Sequence, residues 1–93
     1  MDLDTIKVGI VGCGGISRLY TGIYAGLADV AQVVAVADPV DELAETRRNV
    51  MSDAYRAEAY RLAVLAVDSR TEKDRDFHRR KARAAESAAG TKI

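Results

Sequence analysis

Glycine and proline divide this chain more firmly than any other feature. Six of its seven glycines stand at positions 9, 12, 14, 15, 22 and 26, the seventh is Gly90, and the only proline is Pro39. From Val40 to Ala89 neither residue occurs, a stretch of fifty positions. These two residues are the usual interrupters of regular structure, so the first forty positions turn often and the rest reads as helix-rich. A chain of 93 residues buries only about 60–65% of the surface it exposes when unfolded, enough for one modest core. One domain over residues 1–93 is the expectation.

Ile6–Val11 (IKVGIV) is a short apolar run ending at glycines, which suits a strand buried on both faces, as in a parallel sheet. Ile16, Leu19, Tyr20, Ile23, Tyr24, Leu27 and Ala28 then recur at helical spacing and should face a core. Gly22 and Gly26, four apart in that helix, are expected to let it pack closely on the sheet. Gln32 to Ala37 (QVVAVA) is a second β-branched run, closed by Asp38-Pro39. Strand, helix and strand in this order form a βαβ unit, and its crossover should be right-handed.

Beyond Pro39, Asp41 and Glu42 suit the positive end of a helix. Leu62 to Val67 (LAVLAV) fits two templates, a third strand leaving through Asp68-Ser69 or the last turns of one long helix. The βα alternation of the first half favours the strand. Thr71 to Ala89 reads as a charged helix with Gly90 at its C-cap, and Thr91-Lys92-Ile93 is a candidate fourth strand. The fold class expected is α/β, a partial Rossmann (doubly wound, mainly parallel) sheet with a helix-rich C-terminal half. Such a sheet has an unfinished edge, which a long helix or a second copy must cover, so a homo-oligomer is expected.

Lys+Arg and Asp+Glu are each 14, so the chain is formally neutral and nucleic acid is not an expected partner. The charge is uneven, however. Residues 1–46 hold seven acids against two bases, net −5, and residues 47–93 hold seven against twelve, net +5. The bases concentrated in Arg70–Arg83 suit a phosphate-binding face less well than a solvated helix laced with ion pairs. A single cysteine excludes an internal disulfide, and one cysteine with one histidine makes no metal site. No apolar run approaches the roughly 18 residues of a membrane span, and the acidic N-terminus has no signal-peptide layout. A cytoplasmic protein with no membrane partner is expected.

Gly12-Cys13-Gly14-Gly15-Ile16-Ser17 is the segment that carries chemistry. It reads G-x-G-x-x-S, one residue away from the dinucleotide fingerprint G-x-G-x-x-G/A. It follows a predicted strand and opens a predicted helix, and an acid, Asp38, lies 21 residues beyond Ser17 at the end of the next strand. Gly12 allows a tight turn out of the strand, and Gly14, lacking a Cβ, lets a pyrophosphate approach the backbone. Ser17 is small enough for helix and strand to pack. The helix N-terminus offers free N–H groups to phosphate, and Asp38 is placed to accept hydrogen bonds from ribose hydroxyls. Cys13 fits a small spacer better than a nucleophile, and His78, amid arginines and lysines, fits a solvated helix position. Tyr20 and Tyr24 are expected in the core rather than against a cofactor.

IKVGIVGCGGISRLY followed by VVAVADP resembles the N-terminus of the glucose–fructose oxidoreductase/inositol dehydrogenase (Gfo/Idh/MocA) family, strongly over residues 6–39 and weakly over 40–93. That resemblance implies an NAD(P)-dependent oxidoreductase of sugars, polyols or related compounds. It assigns Gly12, Cys13, Gly14, Gly15, Ile16 and Ser17 to the cofactor phosphates and Asp38 to the ribose. An acid at that position implies NAD in preference to NADP, because a carboxylate repels a 2′-phosphate; Arg47 and Arg48 are expected to lie too far away to offset it. The family's Glu-Lys-Pro motif, with its catalytic lysine, is absent from residues 1–93, as is its substrate domain. The resemblance therefore implies a dinucleotide-binding segment that ends before the catalytic residues. The alternative is a non-enzymatic, helix-rich self-association module with a relic glycine loop.

Overall fold

The computed structural model describes residues 5–12, 17–91 and 93. Its elements run β1 (Ile6–Val11), α1 (Ser17–Ala25), β2 (Ala31–Ala37), α2 (Asp41–Asp68) and α3 (Glu72–Gly90). The class is α/β, with a two-stranded parallel sheet and a helix-rich second half. The helices α2 and α3 correct several expectations. Leu62–Val67 is helix rather than a third strand, and Gly90 is the last residue of α3 rather than its cap. Thr91 and Ile93 are not strand, and Lys92 lies outside the described residues.

The helix prevails at 62–67 because nothing stops it earlier. No glycine or proline interrupts Asp41–Asp68, and Ala44, Arg47, Met51, Tyr55, Leu62 and Ala66 form one buried stripe at helical spacing. Leu62 and Ala66 belong to that stripe, whereas Val64 and Val67 between and beyond them are exposed. Ser69 donates its hydroxyl to Leu65 C=O at 2.7 Å where the helix ends. Two residues later Thr71 starts α3, its side chain accepting from Asp74 N–H at 3.1 Å. So short a connection forces α2 and α3 antiparallel. Ala85 and Ala88, both fully buried, keep the two helices close.

In the sheet, Ile6 pairs with Ala31, Val8 with Val33, Ile10 with Val36 and Val11 with Ala37. A bulge at Val34 shifts the phase of β2, so Ala31, Val33 and Val36 all face the helices. The other face, with Gly9, Val11, Ala35 and Ala37, is exposed, so β1 is not buried on both sides as its composition suggests. The core joins Val33 and Val36 to Ala25 and Ala28, to Met51 and Tyr55, and to the alanines of α3.

Helix α1 departs most from expectation. It buries Thr21 and Ala25, with Ala28 in the following turn, and leaves Leu19, Tyr20, Ile23 and Leu27 exposed. Tyr24 alone of the two tyrosines packs against the core. Gly22 and Gly26 are exposed as well, and a Cβ at Gly22 would meet nothing within 4 Å, so neither glycine serves close packing.

Helix α2 covers the outer edge of β2. The Tyr55 hydroxyl accepts the Val33 N–H at 3.0 Å, and Arg48 donates to Val36 C=O at 3.4 Å. These side chains bond backbone groups that a third strand would otherwise take.

Candidate dinucleotide site

Two parallel strands of matched register end together. Val11 stands opposite Ala37, so Gly12 and Asp38, each the next residue, leave the sheet at the same edge. The Gly12 N–H donates to Ala37 C=O at 2.9 Å and fixes that proximity. Gly12 has φ +86°, a conformation that disfavours any side chain, and the space around it is open. Ser17 begins α1, so the helix N-terminus lies five residues from Gly12 in the chain. The expectations for Cys13, Gly14, Gly15 and Ile16 lie outside the described residues, as does the side chain of Ser17.

Asp38 is half-buried, and its Oδ1 accepts the Val40 N–H at 2.8 Å. This contact turns the chain over Pro39 into α2, whose N-cap Val40 offers no side-chain cap of its own. Asp38 therefore has a local structural task at the same place where a ribose-binding acid is expected.

Arg48 bonds the strand that ends at this edge, and Arg47 bonds α1. Arg47 is buried, donates to the Thr21 hydroxyl at 3.0 Å, and has an Nε with no hydrogen-bond partner among the described residues. Arg48 reaches Val36 C=O, two residues before Asp38. Sequence spacing misses this because α2 folds back along β2, bringing its second turn to the strand's carboxyl end. A basic pair two turns into the helix after β2 was the available signal.

The His78 Nδ1 lies 3.0 Å from the Ser69 hydroxyl, and its ring meets Phe77 edge-on, so it braces the α2–α3 turn. Lys73, Asp76, Arg79, Arg80 and Arg83 line a shallow depression on the exposed side of α3. Lys81 ties α3 to the turn after α1 through Asp29 at 3.5 Å. Among the described residues no cluster could hold a metal ion, and no helix is long and apolar enough to cross a membrane. Compared with protein-family models, with curated proteins and with solved structures, the chain matches none.

Proposed function

We propose that residues 6–38 bind the adenosine diphosphate half of a nicotinamide dinucleotide, as part of an oxidoreductase of the kind the Gfo/Idh/MocA resemblance implies. One observation supports this most. A left-handed glycine and an acid meet at the carboxyl end of two parallel strands, bonded through Gly12 N–H and Ala37 C=O, and a helix begins five residues after that glycine in the chain. Ligands of open α/β sheets bind at that end, where helix N–H groups and loop backbone face the crevice. In this reading Gly12, Cys13, Gly14, Gly15, Ile16 and Ser17 carry the pyrophosphate and Asp38 the ribose, with NAD preferred to NADP. The acidic first half of the chain agrees with that preference, while Arg48 is engaged with Val36 C=O rather than turned to a 2′-phosphate.

Residues 1–93 contain no Glu-Lys-Pro motif, so they are expected to bind without turning over. Positioning of substrate against catalytic groups is worth about 7–11 kcal/mol of barrier, and none of that machinery is present in these residues. Calorimetric titration with NADH should show binding, and Gly14→Val should abolish it by filling the space a pyrophosphate needs. NADH-dependent reduction of a ketose or an inosose by the same chain would contradict the reading of the site as binding only. A second reading, self-association with a relic loop, is favoured by one observation, the exposed apolar stripe of α1.

A further inference from the structure

Among the described residues, strand β1 is hydrogen-bonded on one side only. The Ile6 N–H donates to Val30 C=O and the Gly12 N–H to Ala37 C=O, so even-numbered residues point their backbone groups at β2. Successive residues alternate, which turns the N–H and C=O groups of Lys7, Gly9 and Val11 away from β2. None of these groups has a hydrogen-bond partner among the described residues. The outer edge of β2, by contrast, is covered by Tyr55 and Arg48 of α2.

A second exposed feature is an apolar stripe. Leu19, Ile23 and Leu27 follow at i, i+4 and i+8, and Leu19 is 71% exposed. They sit opposite Thr21, Ala25 and Ala28, the side that α1 buries. Helix α1 packs on α2 and β2 through that buried side, so the stripe faces away from α2, and the open edge of β1 lies across β2 from α2. Ile6 and Val30 join them as further exposed apolar residues.

We propose that this side is a self-association surface, on which β1 pairs antiparallel with β1 of a second copy about a two-fold axis at Gly9. The outward residues are symmetric about that point, as a two-fold interface requires. Gly9 faces Gly9 and Lys7 faces Val11, each pair exchanging two hydrogen bonds. The two lysines end up about 13 Å apart along the strands, so the edge carries no close like-charge pair. The area also fits. The chain exposes 6514 Å², where a compact monomer of 10.0 kDa should expose about 5,200 Å². That excess exceeds the roughly 800 Å² per partner of a standard interface. A second copy satisfies backbone and apolar surface together, and the proposal does not rest on the dinucleotide reading.

The test is sedimentation velocity of the purified chain across micromolar concentrations, with two variants. The chain should sediment as a dimer. Ile23→Glu, on the exposed stripe, should weaken association by about tenfold or more while far-UV circular dichroism stays unchanged. Gly9→Cys in a Cys13→Ser background should cross-link to covalent dimer on oxidation. Facing residues of a hydrogen-bonded pair sit about 5.5 Å apart, within disulfide reach, and a Cβ at position 9 meets nothing within 4 Å. A monomer throughout, association indifferent to Ile23→Glu, or no cross-link at position 9 overturns the proposal. A chain that dimerises only with an added partner protein would count as the first of these.

Discussion

Tyr55 shows how much one side chain can hold together. It is fully buried on α2, and its hydroxyl is the hydrogen-bond partner of Val33 N–H on the edge of β2. Tyr55→Phe keeps the ring but strands that N–H, so chemical denaturation should show a loss of about 1–3 kcal/mol. Burial pushes the Tyr55 hydroxyl above its usual 10.0, outweighing the opposing hydrogen bond from Val33. A raised folded-state value means stability is fully present below the unfolded value and is lost as pH rises above about 10. Tyr55→Phe should remove that part of the alkaline dependence, and an unchanged alkaline profile would refute the assignment. Gly22 is the opposite case, an exposed glycine inside α1 with open space at its Cβ. Gly22→Ala should stabilise the chain by about 0.5–1 kcal/mol, read as a rise in the thermal midpoint.

Among the elements, the hairpin of α2 and α3 carries most of the packing, and it does so with alanine. Ala85 and Ala88 are buried where the helices touch, so Ala85→Leu should overpack the contact and cost about 1–3 kcal/mol in denaturant unfolding. Much of this architecture is legible in the sequence. The break at Pro39, both strands and the start of α3 at Thr71 follow from turn residues, β-branching and capping chemistry. The segment at 62–67 is not, since six apolar residues fit either template and only the stripe running from Ala44 decides between them. The environment of α1 is illegible for another reason. Its periodicity marks Leu19, Ile23 and Leu27 as an apolar face, but periodicity does not say whether this chain supplies the cover. In the site, Gly12 and Asp38 are brought together as their spacing indicates, while the bond from Arg48 to β2 depends on how α2 returns along β2.

At the scale of the whole molecule, a 28-residue helix of about 42 Å sets a long axis of 47 Å. The radius of gyration is 14.1 Å, against about 12 Å for a compact chain of this length. The sheet sits at one side of this rod, with its carboxyl edge open where Gly12 and Asp38 meet. That edge is the centre of the functional account, and calorimetry with NADH and NADPH on the chain and on Asp38→Asn tests it most directly. Asparagine retains an oxygen for the Val40 N–H, so the turn into α2 persists while the charge is removed. The account predicts that NADH binds more tightly than NADPH, and that Asp38→Asn narrows the difference by about tenfold. Tighter binding of NADPH by the unaltered chain, or no binding of either, would contradict it.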